Sequence, residues 1–176
     1  MKIESTSFGA DDLTRYMDEL IDHDKVHMAA RLERLSERLQ TLSAREPAGP
    51  PSTGGDWTAH EILAHIAVLS KFYGMLTYRI GSGQMTELDL MGNVNLRDVV
   101  GEQLGREAPS RLVEMAQADH RRTVEYLRGA DAKSMQRTCV IDGGPATMTA
   151  ADFARLPLIA HLEGHLDQLE QALAAR

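Results

Sequence analysis

The sequence predicts an all-α protein, an antiparallel four-helix bundle with a short hairpin or extended segment before its last helix. Leu, Ala and Met are plentiful, while aromatic residues make up only 5% of the 176 residues; such a composition favours helices over strands. Four segments repeat apolar residues at three- and four-residue steps, the period of an amphipathic helix. Because only short breaks separate these segments, we expect antiparallel neighbours in a single domain over residues 1–176.

The first two helices have clear boundaries. The first begins near Asp11 and ends before a Pro- and Gly-rich loop at residues 46–55, which no regular element could contain. The second begins after Thr58, an N-cap residue that forms a capping box with Glu61. It ends at Gly81-Ser82-Gly83. The apolar stripe of the first helix comprises Leu13, Met17, Leu20, Ile21, Met28, Leu32, Leu35, Leu39 and Leu42.

A long connection precedes the third helix. The apolar residues of 84–108 show no regular period, which predicts an irregular segment with one short helix. Pro109 or Ser110 then opens a helix whose end lies near Gly129, since proline is favoured in the first turn and glycine just past the last.

The period changes once more before the last helix. Residues 137–149 carry a short apolar run, a turn sequence and a second short run, the pattern of a hairpin. Thr149 and Asp152 then predict another capped helix start, and the helix continues to about Ala174. Pro157 lies inside this helix and removes one backbone donor, so we expect a kink there.

Charge and cysteine content exclude several functional classes. The formal net charge is −7, and Lys and Arg form no basic block of the kind that displaces counterions from nucleic acid. No apolar run is long enough to span a bilayer, and Met1 to Asp11 lack the apolar core of a signal peptide. Because the single Cys139 cannot form an internal disulfide, we expect a protein of the reducing cytoplasm.

Two histidines in the last helix are the first candidates for chemistry. His161 and His165 are four residues apart and therefore share one face of the helix, one turn apart. This spacing offers two imidazoles to one metal ion, although such a pair is also common on solvated surfaces. Gly164 leaves room for a ligand beside the pair, and Gln168 is placed to orient a histidine from outside the ligand set.

A third histidine lies on the apolar face of the second helix. Taken alone, His65 is interpreted as a core residue whose ring nitrogens find a backbone carbonyl or a hydroxyl. Taken with His161 and His165, it predicts three imidazoles pointing into the core of a bundle, a usual place for a metal site. Three neutral nitrogens suit zinc, nickel, iron or copper, and they leave open positions for water or substrate.

The remaining histidines and the cysteine are weaker candidates. His23 and His27 are also four residues apart, but without an obvious third ligand they are interpreted as surface or interface residues. His60, in the first turn of its helix, and His120, among charged neighbours, are expected to be exposed. Cys139 lies in an apolar strand, which indicates a small core residue rather than a nucleophile.

The two histidine segments together resemble a known family. The segment Trp57–Ile66 is similar to the start of the second helix in the DinB-like superfamily, and His161–Gln168 is similar to its last helix. Asn95 and the helix from Ser110 also resemble the family's middle, so the resemblance covers nearly the whole chain. It implies a four-helix bundle of DinB/YfiT type, often a homodimer, with a metal held by three residues: His65, His161 and His165.

The resemblance also implies a class of function. Similar members include YfiT-like metal-dependent hydrolases and thiol S-transferases that use bacillithiol, mycothiol or glutathione. They imply a zinc or nickel ion, with iron as a further choice, that activates a thiol or a water toward a small molecule; Tyr73 and Glu61 are candidate acids or bases by position. Related mycothiol-dependent maleylpyruvate isomerases carry Glu in place of His161, which argues against that activity. The alternative function is a non-catalytic metal- or ligand-binding bundle in a stress response.

Overall fold

The computed structural model describes residues 9–45, 57–90, 92 and 103–174, and the chain is mostly helical, as the all-α prediction expects. The predicted loop at 46–55, the start of the chain before residue 9, and the part of the 84–108 connection that contains Asn95 lie outside the described residues. Across the described ranges, no helix carries an apolar stretch long enough to cross a lipid bilayer.

The regular elements whose bounds the structure describes are six α-helices, one π-helical segment and three short strands. The helices are α1 (Ala10–Ser43), α2 (Ala59–Gly81), α3 (Pro109–Gly129), α4 (Ala132–Met135), α5 (Ala150–Phe153) and α6 (His161–Ala174). A π-helical segment, Ala154–Ala160, joins α5 to α6, and the three together are called the terminal helix. The strands are β1 (Glu87–Leu88), β2 (Thr138–Ile141) and β3 (Thr147–Thr149).

Both predicted capping boxes are present. The Thr58 hydroxyl accepts a hydrogen bond from the Glu61 N–H at 3.2 Å, and the Glu61 carboxylate accepts one from the Thr58 N–H at 2.7 Å. Thr149 and Asp152 form the same pair of bonds at the start of the terminal helix. Each box satisfies backbone donors that the first helical turn leaves without an intrahelical partner.

Pro157 lies within the π-helical segment. Because proline has no backbone N–H, it cannot continue the ordinary hydrogen-bond ladder. The His161 N–H donates to the carbonyl of Leu156, five residues earlier, which is the spacing of a π-helix. The π-helical segment leads directly into α6. Its geometry thus sets the direction in which the first turn of α6 presents its side chains.

Ion pairs between α1 and the terminal helix show that the two run parallel. Arg31 of α1 pairs with Glu163, and farther along both helices Arg38 pairs with Glu170 at 2.7 Å. The α1 members of these pairs recur every seven residues at Asp24, Arg31 and Arg38, and Arg45, two residues after the end of α1, continues the series. A seven-residue period keeps one stripe of a helix facing the same neighbour.

The helices α2 and α3 also run parallel. Ser70 lies against His120, and two turns later Tyr78 packs against Tyr126 with ring centroids 5.3 Å apart. Between these contacts Gly74 faces Thr123 so closely that a Cβ at residue 74 would overlap the threonine hydroxyl. The missing side chain thus permits the close approach of the two helices.

The prediction that all neighbouring helices are antiparallel is wrong for these two contacts. Antiparallel packing occurs between α1 and α3, where Glu33 pairs with Arg128 at 2.7 Å and Gln40 contacts Gln117 at 3.4 Å. It also occurs between α2 and the terminal helix. Only the connection from α2 to α3 joins consecutive helices that run in the same direction. This connection is long, and its length lets the chain return to the starting end of α2 before α3 begins.

The expected hairpin is present and carries one additional strand. β2 and β3 pair antiparallel, with Cys139 opposite Met148. β1, which the sequence did not predict, pairs parallel with β2, with Glu87 opposite Val140. The Asp142 carboxylate in the hairpin turn accepts a hydrogen bond from the backbone N–H of Leu90 at 2.6 Å. This bond links the hairpin turn to the segment that follows β1.

Burial on α1 begins later than its apolar stripe predicts. Leu13, Met17 and Leu20 are 61%, 46% and 45% exposed, whereas the stripe is buried from Met28 onward. The first half of α1 packs beside α4, where the Lys25 ammonium donates to the carbonyl of Ala130. Leu13, Met17 and Leu20 nevertheless remain open to solvent within the described part of the chain.

Candidate metal centre

The two histidines of α6 point their Nε2 atoms at one another. Those atoms lie 2.8 Å apart, and the ring centroids of His161 and His165 are 4.5 Å apart. The four-residue spacing on a regular helix places both imidazoles on the same face, as the sequence predicts.

His65 completes the cluster from α2. Its ring centroid lies 4.4 Å from that of His165 and 5.7 Å from that of His161. One ring nitrogen of each histidine can be chosen such that all three atoms lie within 4.8 Å of one another. The antiparallel packing of α2 against the terminal helix thus brings together the three residues that the sequence singled out, each half-buried.

Gln168 orients His165 from one turn further along α6. The His165 Nδ1–H donates to the Gln168 side-chain oxygen at 2.9 Å. In this tautomer the Nε2 atom of His165 carries a lone pair and faces the cluster. Histidine ligands in metal sites usually donate their second ring N–H to such a partner, which fixes the ring and raises its basicity.

Two aromatic side chains adjoin the cluster. The Trp57 indole stacks over His165 with an interplanar angle of 5° and a centroid distance of 6.0 Å, and it meets the His65 ring edge-on at 4.8 Å. Tyr73, only 7% exposed, has its ring 6.1 Å from that of His161. Sequence analysis missed the role of Trp57; the available signal was its position just before the cap of the helix that carries His65.

The acidic residues next to the histidines face away from them. Glu163 pairs with Arg31, and Asp167 pairs with Arg38 at 2.7 Å. Among the residues that the structure describes, the donor set at the cluster is therefore three imidazoles, without a carboxylate. Neutral nitrogen ligands suit zinc, nickel, iron or copper, whereas magnesium and calcium require oxygen ligands. In the described part of the chain, this is the one group of three such residues whose ligand atoms converge.

The sequence matches one protein family over most of its length. The profile of the DinB superfamily matches residues 27–169, which include all three histidines. The chain belongs to the DinB superfamily. Proteins of the DinB superfamily typically bind metal. Searches of curated proteins and of solved structures each found no match.

The candidate acids and bases of this DinB superfamily member differ in their availability. The Glu61 carboxylate accepts hydrogen bonds from both the N–H and the hydroxyl of Thr58, and these bonds lower its pKa. The Glu61 carboxylate therefore serves the helix cap in its ionised form, which argues against a role as a proton donor. Tyr73 lies beside the cluster and remains the better candidate.

The prediction that His120 is exposed is wrong. His120 is 1% exposed, and its Nε2 contacts the Ser70 hydroxyl at 2.8 Å, while that hydroxyl donates to the Ile66 carbonyl at 2.7 Å. Burial, aided by the charge of Arg121, lowers the pKa of His120 to about 4. The imidazole is therefore a neutral core group that joins α3 to α2.

Of the other candidates, three lie where the sequence placed them: Cys139, His23 and His27. His60 is half-buried rather than exposed as predicted, and its Nε2 contacts the Glu107 carbonyl at 3.0 Å. Cys139 is fully buried, and burial, with a smaller effect of Glu87, raises the pKa of its thiol. A raised pKa reduces the thiolate fraction, as expected for a core cysteine rather than a nucleophile. His23 and His27 are exposed on α1.

Proposed function

We propose that this protein is a metal-dependent enzyme whose divalent ion is held by His65, His161 and His165. The observation that carries the proposal is the convergence of three imidazoles from two helices at one point. The residues fit such an ion because nitrogen is the donor that zinc and nickel accept readily, with iron as a further choice. Three protein ligands also leave room for a water or a substrate, as catalytic sites do.

The proposed reaction is S-transfer to a small electrophile, or hydrolysis of a small molecule. A divalent ion at this position would lower the pKa of a coordinated thiol or water and so supply a nucleophile near neutral pH. Gln168 holds the tautomer of His165, and Trp57 covers one side of the imidazoles. Tyr73 is the proposed proton donor or acceptor. Candidate thiols are bacillithiol, mycothiol and glutathione.

The same proposal covers the assembly of the protein. The chain forms one domain, a four-helix bundle of the DinB type whose helices run up, down, down and up. We further propose that it is a homodimer in the cytoplasm and binds no nucleic acid. The open apolar face on the first half of α1, with Leu13 and Met17 61% and 46% exposed, is compatible with burial against a second copy.

Elemental analysis of the purified, untagged protein tests the metal site. We expect about one equivalent of zinc, nickel or iron per chain, and its loss in the His65→Ala variant. The matched control is His60→Ala, which removes a histidine from the same helix outside the cluster. If neither wild type nor control binds metal after reconstitution, while both remain helical by circular dichroism, the metal-dependent function is contradicted.

An activity assay separates the two reaction types from binding alone. The loaded protein would be incubated with a chloro-dinitro arene and each of the three thiols, and separately with ester and amide substrates lacking a thiol. Thiol-dependent arene consumption that disappears in His165→Ala supports S-transfer. Tight metal binding without turnover of any substrate would instead favour a non-catalytic binding protein.

A further inference from the structure

A second pair of histidines lies on α1 with the geometry of a chelate. The Nε2 atoms of His23 and His27 are 3.0 Å apart, and the ring centroids are 4.3 Å apart. The rings thus turn toward each other although both residues are exposed and free to point elsewhere. The α6 pair has nearly the same separation, 2.8 Å. We propose that His23 and His27 form a second metal site, specific for a late first-row divalent transition ion.

The surrounding charge favours a cation at this position. Residues 18–27 contain four acids, Asp18, Glu19, Asp22 and Asp24, against one Lys25, and so carry a formal charge of −3. The ammonium of Lys25 pairs with Asp22 at 2.8 Å and donates to a backbone carbonyl of α3's C-terminal flank, so it is turned toward the protein body. A local excess of negative charge raises the concentration of cations near the imidazoles.

Nearby arginines are engaged elsewhere. Arg31, one turn after His27, pairs with Glu163, and Arg155 pairs with Asp24 and Asp152. Neither guanidinium is therefore an unneutralised positive charge beside the chelate. Glu19 lies one turn before His23 on the same stripe of α1, where its flexible side chain can supply a carboxylate oxygen as a third ligand.

The donor set indicates which ion this site prefers. Two imidazole nitrogens four residues apart on a helix bind one ion across a single turn, and water completes the coordination. Affinity of nitrogen sites rises from manganese to copper and falls at zinc. We therefore expect the site to bind Cu²⁺ most tightly, followed by Ni²⁺ and Zn²⁺. The site shares no residue with the proposed catalytic centre and does not depend on it.

Titration with Cu²⁺ tests the second site. In a His161→Ala/His165→Ala variant, which lacks the α6 pair, we expect one Cu²⁺ per chain. Adding His23→Ala or His27→Ala should weaken this binding at least about tenfold, since even loss of an outer partner costs that much in metal sites. The matched control, His60→Ala, removes a half-buried histidine outside both histidine groups and should leave the affinity unchanged. Equal weakening in the control, or one ion per two chains, would overturn the proposal.

Electron paramagnetic resonance of the His161→Ala/His165→Ala variant gives a second test, because Cu²⁺ cannot then bind at the α6 pair. One equivalent of Cu²⁺ is added to this variant and to the same variant carrying His23→Ala and His27→Ala. We expect nitrogen hyperfine splitting from two imidazoles in the first protein and its loss in the second. If the splitting persists in the second protein, the α1 site is disproved.

Discussion

The side-chain oxygen of Gln168 accepts a hydrogen bond from the Nδ1–H of His165 at 2.9 Å. This single contact determines which nitrogen of His165 can bind an ion, because the other nitrogen already carries the proton. The Nε2 atom left with a lone pair lies 2.8 Å from the Nε2 of His161. A glutamine one turn from a histidine pair thus prepares the pair to act as ligands.

Replacement of Gln168 should weaken metal binding without unfolding the protein. In Gln168→Leu the His165 ring loses the partner that fixes its tautomer, and we expect a loss of metal affinity of about 10- to 100-fold. Competition with a chromophoric chelator measures the change. Gln171→Leu, an exposed change one turn beyond Gln168, is the control. Equal affinities in the two variants would show that the hydrogen bond has no part in metal binding.

The fluorescence of Trp57 should report occupancy of the site. It is the single tryptophan of the chain, and its indole lies 4.8 Å from the His65 ring and 6.0 Å from the His165 ring. Addition of Ni²⁺ or Co²⁺ should quench its emission, because open-shell ions at that distance deactivate the excited indole. The quenching should vanish in His65→Ala and persist in His60→Ala. Quenching that survives in His65→Ala would place the ion elsewhere.

The contact between Gly74 and Thr123 makes a prediction about stability. Gly74→Ala puts a methyl group into the space of the Thr123 hydroxyl, and overpacking of this kind costs about 1–3 kcal/mol. Gly164→Ala, where nothing lies within 4 Å of the added Cβ, should instead stabilise the protein by about 0.5–1 kcal/mol. Urea unfolding measures both. Stabilisation of similar size in the two variants would contradict the close approach of α2 and α3.

Burial of neutral His120 predicts a pH-dependent loss of stability. Its pKa is about 4 in the folded protein, below the value of about 6.5 for an exposed imidazole. Between these values the unfolded chain binds a proton that the folded chain does not. Stability contributed by this residue is therefore complete above pH about 6.5 and is lost as the pH falls toward about 4, on the order of 3 kcal/mol in all.

Unfolding of wild type and of His120→Leu as a function of pH tests this prediction. The variant removes the titrating group, and the Ser70 hydroxyl keeps its bond to the Ile66 carbonyl. We expect the difference in stability between wild type and variant to shrink as the pH falls from 7 to 4. A difference that stays constant over this range would mean that His120 takes up its proton in the folded protein as readily as in the unfolded chain.

Features that depend only on residues close together in the sequence could be predicted from the sequence alone. The capping boxes at Thr58 and Thr149, the hairpin before the terminal helix and the pairing of His161 with His165 all follow from spacing within a few residues. Their physical causes are local, since a cap, a turn or one helical turn is complete within its own segment. Burial of His65 on an apolar face was predictable for the same reason.

Features that depend on how the helices pack were decided by the tertiary structure. The periodicity of apolar residues could not show that α1 runs parallel to the terminal helix or that β1 joins the hairpin. It also could not show that His120 of α3 is buried against α2. Charged neighbours on one helix say little about burial when another helix covers the residue between them. By itself, the sequence determined which histidines share a helix face; only packing determined which of them meet, because contacts between distant segments depend on the direction and closeness of whole helices.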